Sequence, residues 1–396
     1  MTPRLASYLG LSLSGFHRLA YWEWGPQDAE RTLICVHGLT RQGRDFDILA
    51  RTFARQGWRV ICPDLVGRGQ SGWLAQPAGY TLLQYGADMN ALLARLDVEG
   101  VDWVGNSLGG LIAMMLAAQP GTPIRRLVVN DIGPYIPGSA LRRLGVYLNA
   151  PPPRFADLAE AEHYIRTTLA PFGALNDDHW RHLAEHSVRP DGNGGLLRHH
   201  DPGIAEAYRP WRLGSILMWD LWDKVRCPAL LLRGAESDLL PAYTAQEMTK
   251  RGPGAKLIEF EGIGHLPALM TEDQIQPIRS SSLRRPEGTP GKQANAAGIR
   301  PSGRHGAKPG SRGVASLGSP SAAVEQHVGA AGQLGAEPAD PSAVSNSART
   351  ARVRRSAHLD SRDGGNEDGQ TARSRCREGV VGPDGGNPRR YRRAQP

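Results

Sequence analysis

The sequence predicts an α/β protein whose mostly parallel central sheet is covered by helices on both faces. Short apolar runs alternate with amphipathic helical patterns, and one strand-to-helix turn carries a serine flanked by glycines. A long interval between two strands holds only helical patterns. The predicted strands are Arg31–His37, Trp58–Pro63, Val101–Gly105, Arg125–Asp131, Pro228–Gly234 and Lys256–Phe260, and the predicted helices are Gly43–Gln56, Thr81–Leu96, Leu108–Gln119 and Pro241–Arg251.

Two segments depart from this alternation. The residue pattern of Gly15–Trp24 predicts antiparallel strands at one edge of the sheet. Residues 134–222 contain helical stretches (Phe155–Leu169, Asp177–His186 and Ile204–Tyr208) and no strand pattern. We expect this insertion to form a helical cap over the carboxyl ends of the strands, where open α/β sheets bind ligands.

The composition divides the chain into a domain, residues 1–279, and a tail, residues 280–396. The tail contains 19 Lys and Arg against 10 Asp and Glu, whereas the preceding residues contain 28 and 29. Because the tail is also poor in apolar side chains, it is predicted to be disordered. A solvated extension, an arginine-rich contact with RNA or anionic membrane, and an out-of-frame extension all remain open. A nucleic-acid partner is not expected for the near-neutral domain.

Cysteine spacing and hydropathy indicate the cellular compartment of the protein. The four cysteines show no paired spacing, and Cys35 and Cys62 lie in apolar strand-like runs, so buried reduced thiols are expected. Residues 1–25 lack the apolar region of a signal peptide, and no apolar run is long enough to span a membrane. These features predict a cytoplasmic protein without a membrane partner. They do not predict an oligomeric state.

The glycine-flanked serine is Ser107 in Gly105-Asn-Ser-Leu-Gly109, between a predicted strand and a predicted helix. This context is typical of a nucleophile elbow, a tight turn that exposes the serine hydroxyl at the end of a helix. An ordinary glycine-rich turn is the alternative.

A serine nucleophile needs a base and an acid that orients the base. His265 lies in a glycine-flanked loop after the last predicted strand and is the expected base. Asp238, which follows the strand Pro228–Gly234, is the expected acid, and Asp131 is the alternative. Either acid gives the chain order Ser…Asp…His, which differs from the orders in chymotrypsin and subtilisin.

The oxyanion that forms during attack on a carbonyl needs hydrogen-bond donors. The expected donors are the backbone N–H of Leu108, next to the nucleophile, and that of Leu39 in the loop after the first parallel strand. His37 in the same loop is interpreted as a supporting residue.

These residues together resemble the α/β-hydrolase fold superfamily over residues 15–279. The matching motifs are His37-Gly38, Asp64-Leu-Val-Gly-Arg-Gly-Gln-Ser71, Gly105–Gly110, Gly234-Ala-Glu-Ser-Asp238 and Gly264-His265. Among its members the chain is similar to esterases, enol-lactonases and meta-cleavage-product hydrolases. A serine in place of an aspartate at the nucleophile position argues against epoxide hydrolases and haloalkane dehalogenases.

The resemblance implies a serine hydrolase that acts on a small carboxylic ester or lactone through an acyl-enzyme, without a cofactor. Hydrolysis of a carbon–carbon bond in a vinylogous diketone is the alternative reaction. A non-catalytic ligand receptor on the same fold is the alternative function.

Weaker patterns suggest substrate-binding residues. Arg41, with Arg44 nearby, could bind a substrate carboxylate, although solvated or Asp45-paired arginines are the simpler explanation. Tyr135 and Trp219 could line an apolar acyl pocket or pack in the core.

The segment His182-Leu-Ala-Glu-His186 spells the H-x-x-E-H pattern of a zinc protease family. It lies within the predicted cap and has no evident third ligand. A polar helix face is therefore expected, with no bound metal.

Overall fold

A computed structural model describes residues 1–209 and 214–283 of the chain. Its main feature is an eight-stranded sheet with the order β1-β2-β4-β3-β5-β6-β12-β13. The pairs β1–β2 and β2–β4 are antiparallel and the other neighbours are parallel. The strands are β1 Arg4–Ser12, β2 Gly15–Trp24, β3 Thr32–Val36, β4 Arg59–Asp64, β5 Val101–Asn106, β6 Ile124–Asn130, β12 Ala229–Gly234 and β13 Lys256–Phe260.

The central strands β3 and β5 are buried at every residue, as expected for a parallel sheet covered on both faces. The helices that follow the strands are α1 Asp47–Ala54, α2 Leu82–Leu96, α3 Leu108–Ala117, α8 Ala242–Met248 and α9 Glu272–Leu283. Helix α2 begins at a side-chain cap, because the Thr81 hydroxyl accepts a hydrogen bond from the Gln84 amide. The α/β class and the mostly parallel sheet are thus confirmed.

The antiparallel edge is larger than the sequence analysis expected. Gly15–Trp24 forms one strand, β2, and the unpredicted Arg4–Ser12 pairs with it along its whole length. Leu5, Leu9 and Leu11 on β1 are exposed, so their positions do not follow the usual pattern in which apolar residues face the core.

The segment between β6 and β12 contains the residues predicted to form the cap. It holds the helices α4 Gly138–Asn149, α5 Leu158–Thr168, α6 Asp177–Ser187 and α7 Trp219–Trp222. We call residues 134–209 and 214–222 the cap segment.

The cap segment also holds strands, which corrects the expectation of helices alone. A small sheet has the order β8-β10-β9, and β7 pairs with β11. They are β7 Tyr135–Ile136, β8 Arg154–Phe155, β9 Val188–Pro190, β10 Leu196–Arg198 and β11 Ile216–Leu217. Strands of two or three residues are too short to show an alternating pattern.

The carboxyl end of the described chain is helical, because α9 continues to Leu283. Most of the predicted disordered tail, residues 284–396, lies outside the described residues. Within the described part of the chain, no helix is both long and apolar enough to cross a bilayer. Cys35 and Cys62 are buried and unpaired, as expected.

Candidate active site

Ser107 occupies a sharp turn between β5 and α3. Its backbone has φ 50° and ψ −111°, a conformation that L-residues rarely adopt. The turn depends on its glycines: a Cβ added at Gly105 would lie 2.4 Å from the Gly109 carbonyl oxygen, and one added at Gly109 would lie 2.1 Å from the Val36 oxygen. The geometry is that of a nucleophile elbow, with the serine directly before the first turn of α3.

Three side chains form a continuous hydrogen-bonded line at this turn. Nε2 of His265 lies 3.0 Å from the Ser107 hydroxyl, and Nδ1 lies 2.7 Å from Oδ2 of Asp131. The Asp131 carboxylate is fully buried, and its Oδ1 accepts a hydrogen bond from the Gly234 amide at 2.9 Å. Because a carboxylate only accepts, His265 donates from Nδ1 and leaves Nε2 able to accept the serine proton.

The acid in this line is Asp131, so the expectation of Asp238 is corrected. Asp238 is exposed, and both of its oxygens are bound by the Arg143 guanidinium of α4 at 2.7 and 2.8 Å. The physical reason lies in the sheet. Asp131 follows the end of β6 by one residue, whereas Asp238 lies four residues beyond β12 and points to the cap segment.

The loop after β3 lies beside the elbow. A Cβ added at Gly38 would lie 3.6 Å from the Ser107 Cβ. The His37 ring holds the Gly38 carbonyl oxygen at 2.7 Å, so the N–H of the trans peptide to Leu39 points the opposite way. No acceptor for the Leu39 amide exists among the described residues. Leu108 is the first residue of α3, where helix N–H groups lack intrahelical partners. Both amides therefore stay available, and their role as oxyanion donors remains a proposal.

His37 is held in one neutral tautomer. Its Nε2 accepts a hydrogen bond from the Leu65 amide at 3.0 Å, while Nδ1 donates to the Gly38 oxygen. Burial lowers the pKa of His37 from 6.5 to about 3, and the nearby Arg68 and Arg41 charges act in the same direction. The ring can therefore hold the loop in this arrangement across the neutral pH range.

This pKa shift predicts a pH-dependent stability. A lowered folded-state pKa stabilises the protein above pH 6.5, and that contribution is lost as the pH falls toward 3. The stability advantage of wild type over His37→Gln should shrink by about 1 kcal/mol between about pH 7 and about pH 5.5. Urea unfolding of both proteins at the two pH values measures it, and a constant difference would contradict a buried neutral imidazole.

The structure does not leave Arg41 as a ready substrate anchor. Its Nε and Nη2 bind the Asp45 carboxylate at 2.6 and 2.7 Å, and Nη1 donates to the Ser187 hydroxyl at 2.7 Å. Arg44 is likewise bound to Asp47. The Asp45-paired alternative therefore describes Arg41, and its guanidinium joins the loop after β3 to the end of α6.

Tyr135 and Trp219 lie in the cap segment and are partly buried. The Tyr135 ring packs against Tyr243, with centroids 5.9 Å apart. The Arg251 guanidinium lies 4.3 Å from the centre of the Trp219 ring. These contacts do not bring either ring to Ser107, and their role in substrate binding stays a prediction.

One side-chain cluster could hold a metal ion. His182 and His186 of α6 approach Asp47 of α1, and one potential ligand atom from each residue lies within 4.8 Å of the others. The sequence analysis expected the H-x-x-E-H segment to form only a polar helix face. That expectation is incomplete, because Nε2 of His182 lies 2.9 Å from the Arg44 carbonyl oxygen. The Asp47 carboxylate is bound by the Arg44 guanidinium, which a metal would have to displace.

Comparisons with known proteins agree with this geometry. Residues 31–269 match the family model described as alpha/beta hydrolase fold. The chain belongs to the α/β hydrolase fold family. It is 43% identical over 282 residues to a 3-hydroxybutyrate-oligomer hydrolase of Cupriavidus necator, covering 69% of this chain and 96% of that protein. It is 36% identical over 277 residues to Lipase LipV of Mycobacterium tuberculosis, covering 66% and 95%.

A solved structure supports the same family. An alpha/beta hydrolase from Novosphingobium aromaticivorans superimposes with a TM-score of 0.61 at 31% identity, covering 71% of this chain and 98% of that one. The names of the two curated relatives, an oligomer hydrolase and a lipase, support a hydrolase.

Proposed function

We propose that this α/β hydrolase cleaves the ester bonds of short hydroxyacid oligomers, with 3-hydroxybutyrate oligomers as the leading substrates. The observation that supports the chemistry is the line from Ser107 through His265 to Asp131, with spacings of 3.0 and 2.7 Å. The 43% identical relative, whose name specifies 3-hydroxybutyrate oligomers, supports the substrate class.

The proposed reaction has two acyl-transfer steps. Ser107 Oγ attacks the ester carbonyl while its proton moves to Nε2 of His265. The Leu39 and Leu108 amides stabilise the oxyanion, and the buried Asp131 carboxylate stabilises the imidazolium. His265 then returns the proton to the leaving alkoxide, which departs as the hydroxyl end of a shortened oligomer. Water, deprotonated by His265, releases the acyl group and restores Ser107.

The test combines active-site labelling with a substrate panel. A fluorophosphonate probe with mass-spectrometric site mapping should modify Ser107. The panel contains 3-hydroxybutyrate dimer to tetramer, p-nitrophenyl butyrate, a lactone and a vinylogous diketone. We expect the oligomers to give the highest kcat/KM.

Each alternative has its own outcome in the same test. Turnover of the diketone alone would favour carbon–carbon bond hydrolysis. Tight binding without turnover, and without labelling of Ser107, would favour a receptor. Labelling together with hydrolysis of only the p-nitrophenyl ester would keep the serine hydrolase and reject the oligomer substrate.

A further inference from the structure

Arg198, the last residue of the cap strand β10, is buried and has no counter-charge among the described residues. Only 9% of the residue is exposed. Its Nε and Nη1 atoms have no hydrogen-bond partner within residues 1–209 and 214–283, and no carboxylate of that part of the chain forms an ion pair with it. Its described contact is with the Tyr147 ring, whose centre lies 5.1 Å from the guanidinium carbon.

A buried arginine of this kind is expected to bind an anionic ligand. A guanidinium cannot release its proton in a protein, so it remains charged when buried. Burial of an unpaired charge is strongly unfavourable unless an opposite charge compensates it. The planar fork of arginine donors matches a carboxylate, which it binds through two parallel hydrogen bonds.

Arg68 is a second buried arginine with an unused donor. It is completely buried in the loop after β4. Its Nε binds the Leu39 carbonyl oxygen at 2.8 Å, and Nη1 binds the Val66 oxygen at 2.6 Å and the Tyr85 hydroxyl at 2.9 Å. Its Nη2 has no partner in the described residues. Arg68 therefore has a rigid position and one donor to spare.

His200 indicates that the two guanidiniums belong to one positive region. It lies two residues after Arg198, and its backbone forms an isolated bridge with Arg68. The pKa of His200 is lowered from 6.5 to about 3, mainly by burial and then by the charges of Arg198, Arg68 and Arg41 in that order. The charges of three guanidiniums therefore act on the His200 imidazole.

Two carboxylates close to this region already have other partners. Asp45 holds Arg41. Asp201, the residue after His200, accepts hydrogen bonds from the Tyr80 hydroxyl and the Gly203 amide. Arg198 and Arg68 therefore remain without a carboxylate partner among the described residues.

This region borders the proposed oxyanion site, since Arg68 binds the carbonyl of Leu39 and the Arg41 side chain lies beside Gly38. In a 3-hydroxybutyrate oligomer, the leaving alkoxide at the acid end carries a carboxylate two carbons from the alkoxide carbon. We propose that Arg198 and Arg68 bind this free carboxylate, so that cleavage releases hydroxyacid units from the acid end. This inference rests on the proposed function.

The experiment compares a charged and a neutral substrate that are otherwise identical. These are the 3-hydroxybutyrate dimer with a free carboxylate and its methyl ester. Wild type should prefer the acid. Arg198→Met should lose about 10- to 100-fold in kcat/KM on the acid and little on the methyl ester. Arg154→Met is the matched control, because Arg154 lies on the neighbouring strand β8 and is exposed. It should keep the preference of wild type.

An equal loss on both substrates, or an unchanged preference in Arg198→Met, would contradict the proposed binding of the carboxylate by Arg198. A thermal-shift assay separates this result from failure of the proposed function. 3-Hydroxybutyrate should raise the melting temperature of wild type and Arg154→Met, but not of Arg198→Met, even if the dimer is not hydrolysed. Equal shifts in all three proteins would refute carboxylate binding by Arg198, whether or not the dimer is a substrate. Without ligand, Arg198→Met should melt no lower than wild type, because it removes an unpaired buried charge.

Discussion

Replacement of Ser107 by alanine should lower kcat by up to about 10⁶-fold, the size of a triad knockout in a serine protease. The reason is that no other atom can take the place of the hydroxyl 3.0 Å from Nε2 of His265. Residual turnover should come from the oxyanion donors and substrate binding. Steady-state kinetics on the 3-hydroxybutyrate dimer, with active-site titration to exclude traces of wild type, measure the loss.

A second variant at the same position separates chemistry from folding. Ser107→Gly also lacks the hydroxyl, but glycine adopts the backbone conformation of φ 50° and ψ −111° without steric strain. Its free energy of unfolding should exceed that of Ser107→Ala by about 1 kcal/mol. Both variants should be equally inactive. Near-normal turnover in either one would end the assignment of Ser107 as the nucleophile.

The sequence was sufficient to predict most of the sheet and the elbow. Buried parallel strands are continuous apolar runs, and the six predicted ones begin and end within one residue of the observed bounds. Glycines at positions 105 and 109 indicated the elbow, because any side chain there would collide with backbone. The strands and the elbow depend on local sequence, so they could be predicted from the sequence alone.

Features that depend on contacts between distant segments could not be predicted. Strand β1 gains its stability from pairing with β2 while presenting leucines to solvent. The strands of the cap segment are two or three residues long and form only by pairing with each other. The sequence also does not show that Arg198 lacks a carboxylate partner within residues 1–209 and 214–283, because this depends on which carboxylates fold near it and which of them are already bound.

The choice of acid shows the same limit within the site. Strands β6 and β12 are parallel neighbours, and Asn130 pairs with Leu232. Residues after both strands consequently reach the same edge of the sheet, and both Asp131 and Asp238 precede His265 in the chain. Only the spatial result distinguishes them: Asp131 is buried against the imidazole, and Asp238 is bound to Arg143 at the surface.

Paired substitutions of these two acids should differ by orders of magnitude. Asp131→Asn should lower kcat by about 10⁴-fold, as the same change does in a serine protease, because an amide donor facing Nδ1 favours the wrong imidazole tautomer. Asp238→Asn keeps a similar shape and removes an ion pair whose two side chains are about half exposed, 54% and 48%. It should change kcat only a few-fold and stability by at most about 1 kcal/mol.

The comparison is informative because each variant serves as the control for the other. Both replace a carboxylate with an amide after neighbouring strands, so a general effect of lost negative charge would appear in both. Circular dichroism and melting temperature should show that each variant is folded before kcat is compared. A large loss in Asp238→Asn, with activity retained in Asp131→Asn, would mean that His265 turns to the other strand during catalysis. The line from serine through imidazole to the buried carboxylate would then not be the reactive arrangement.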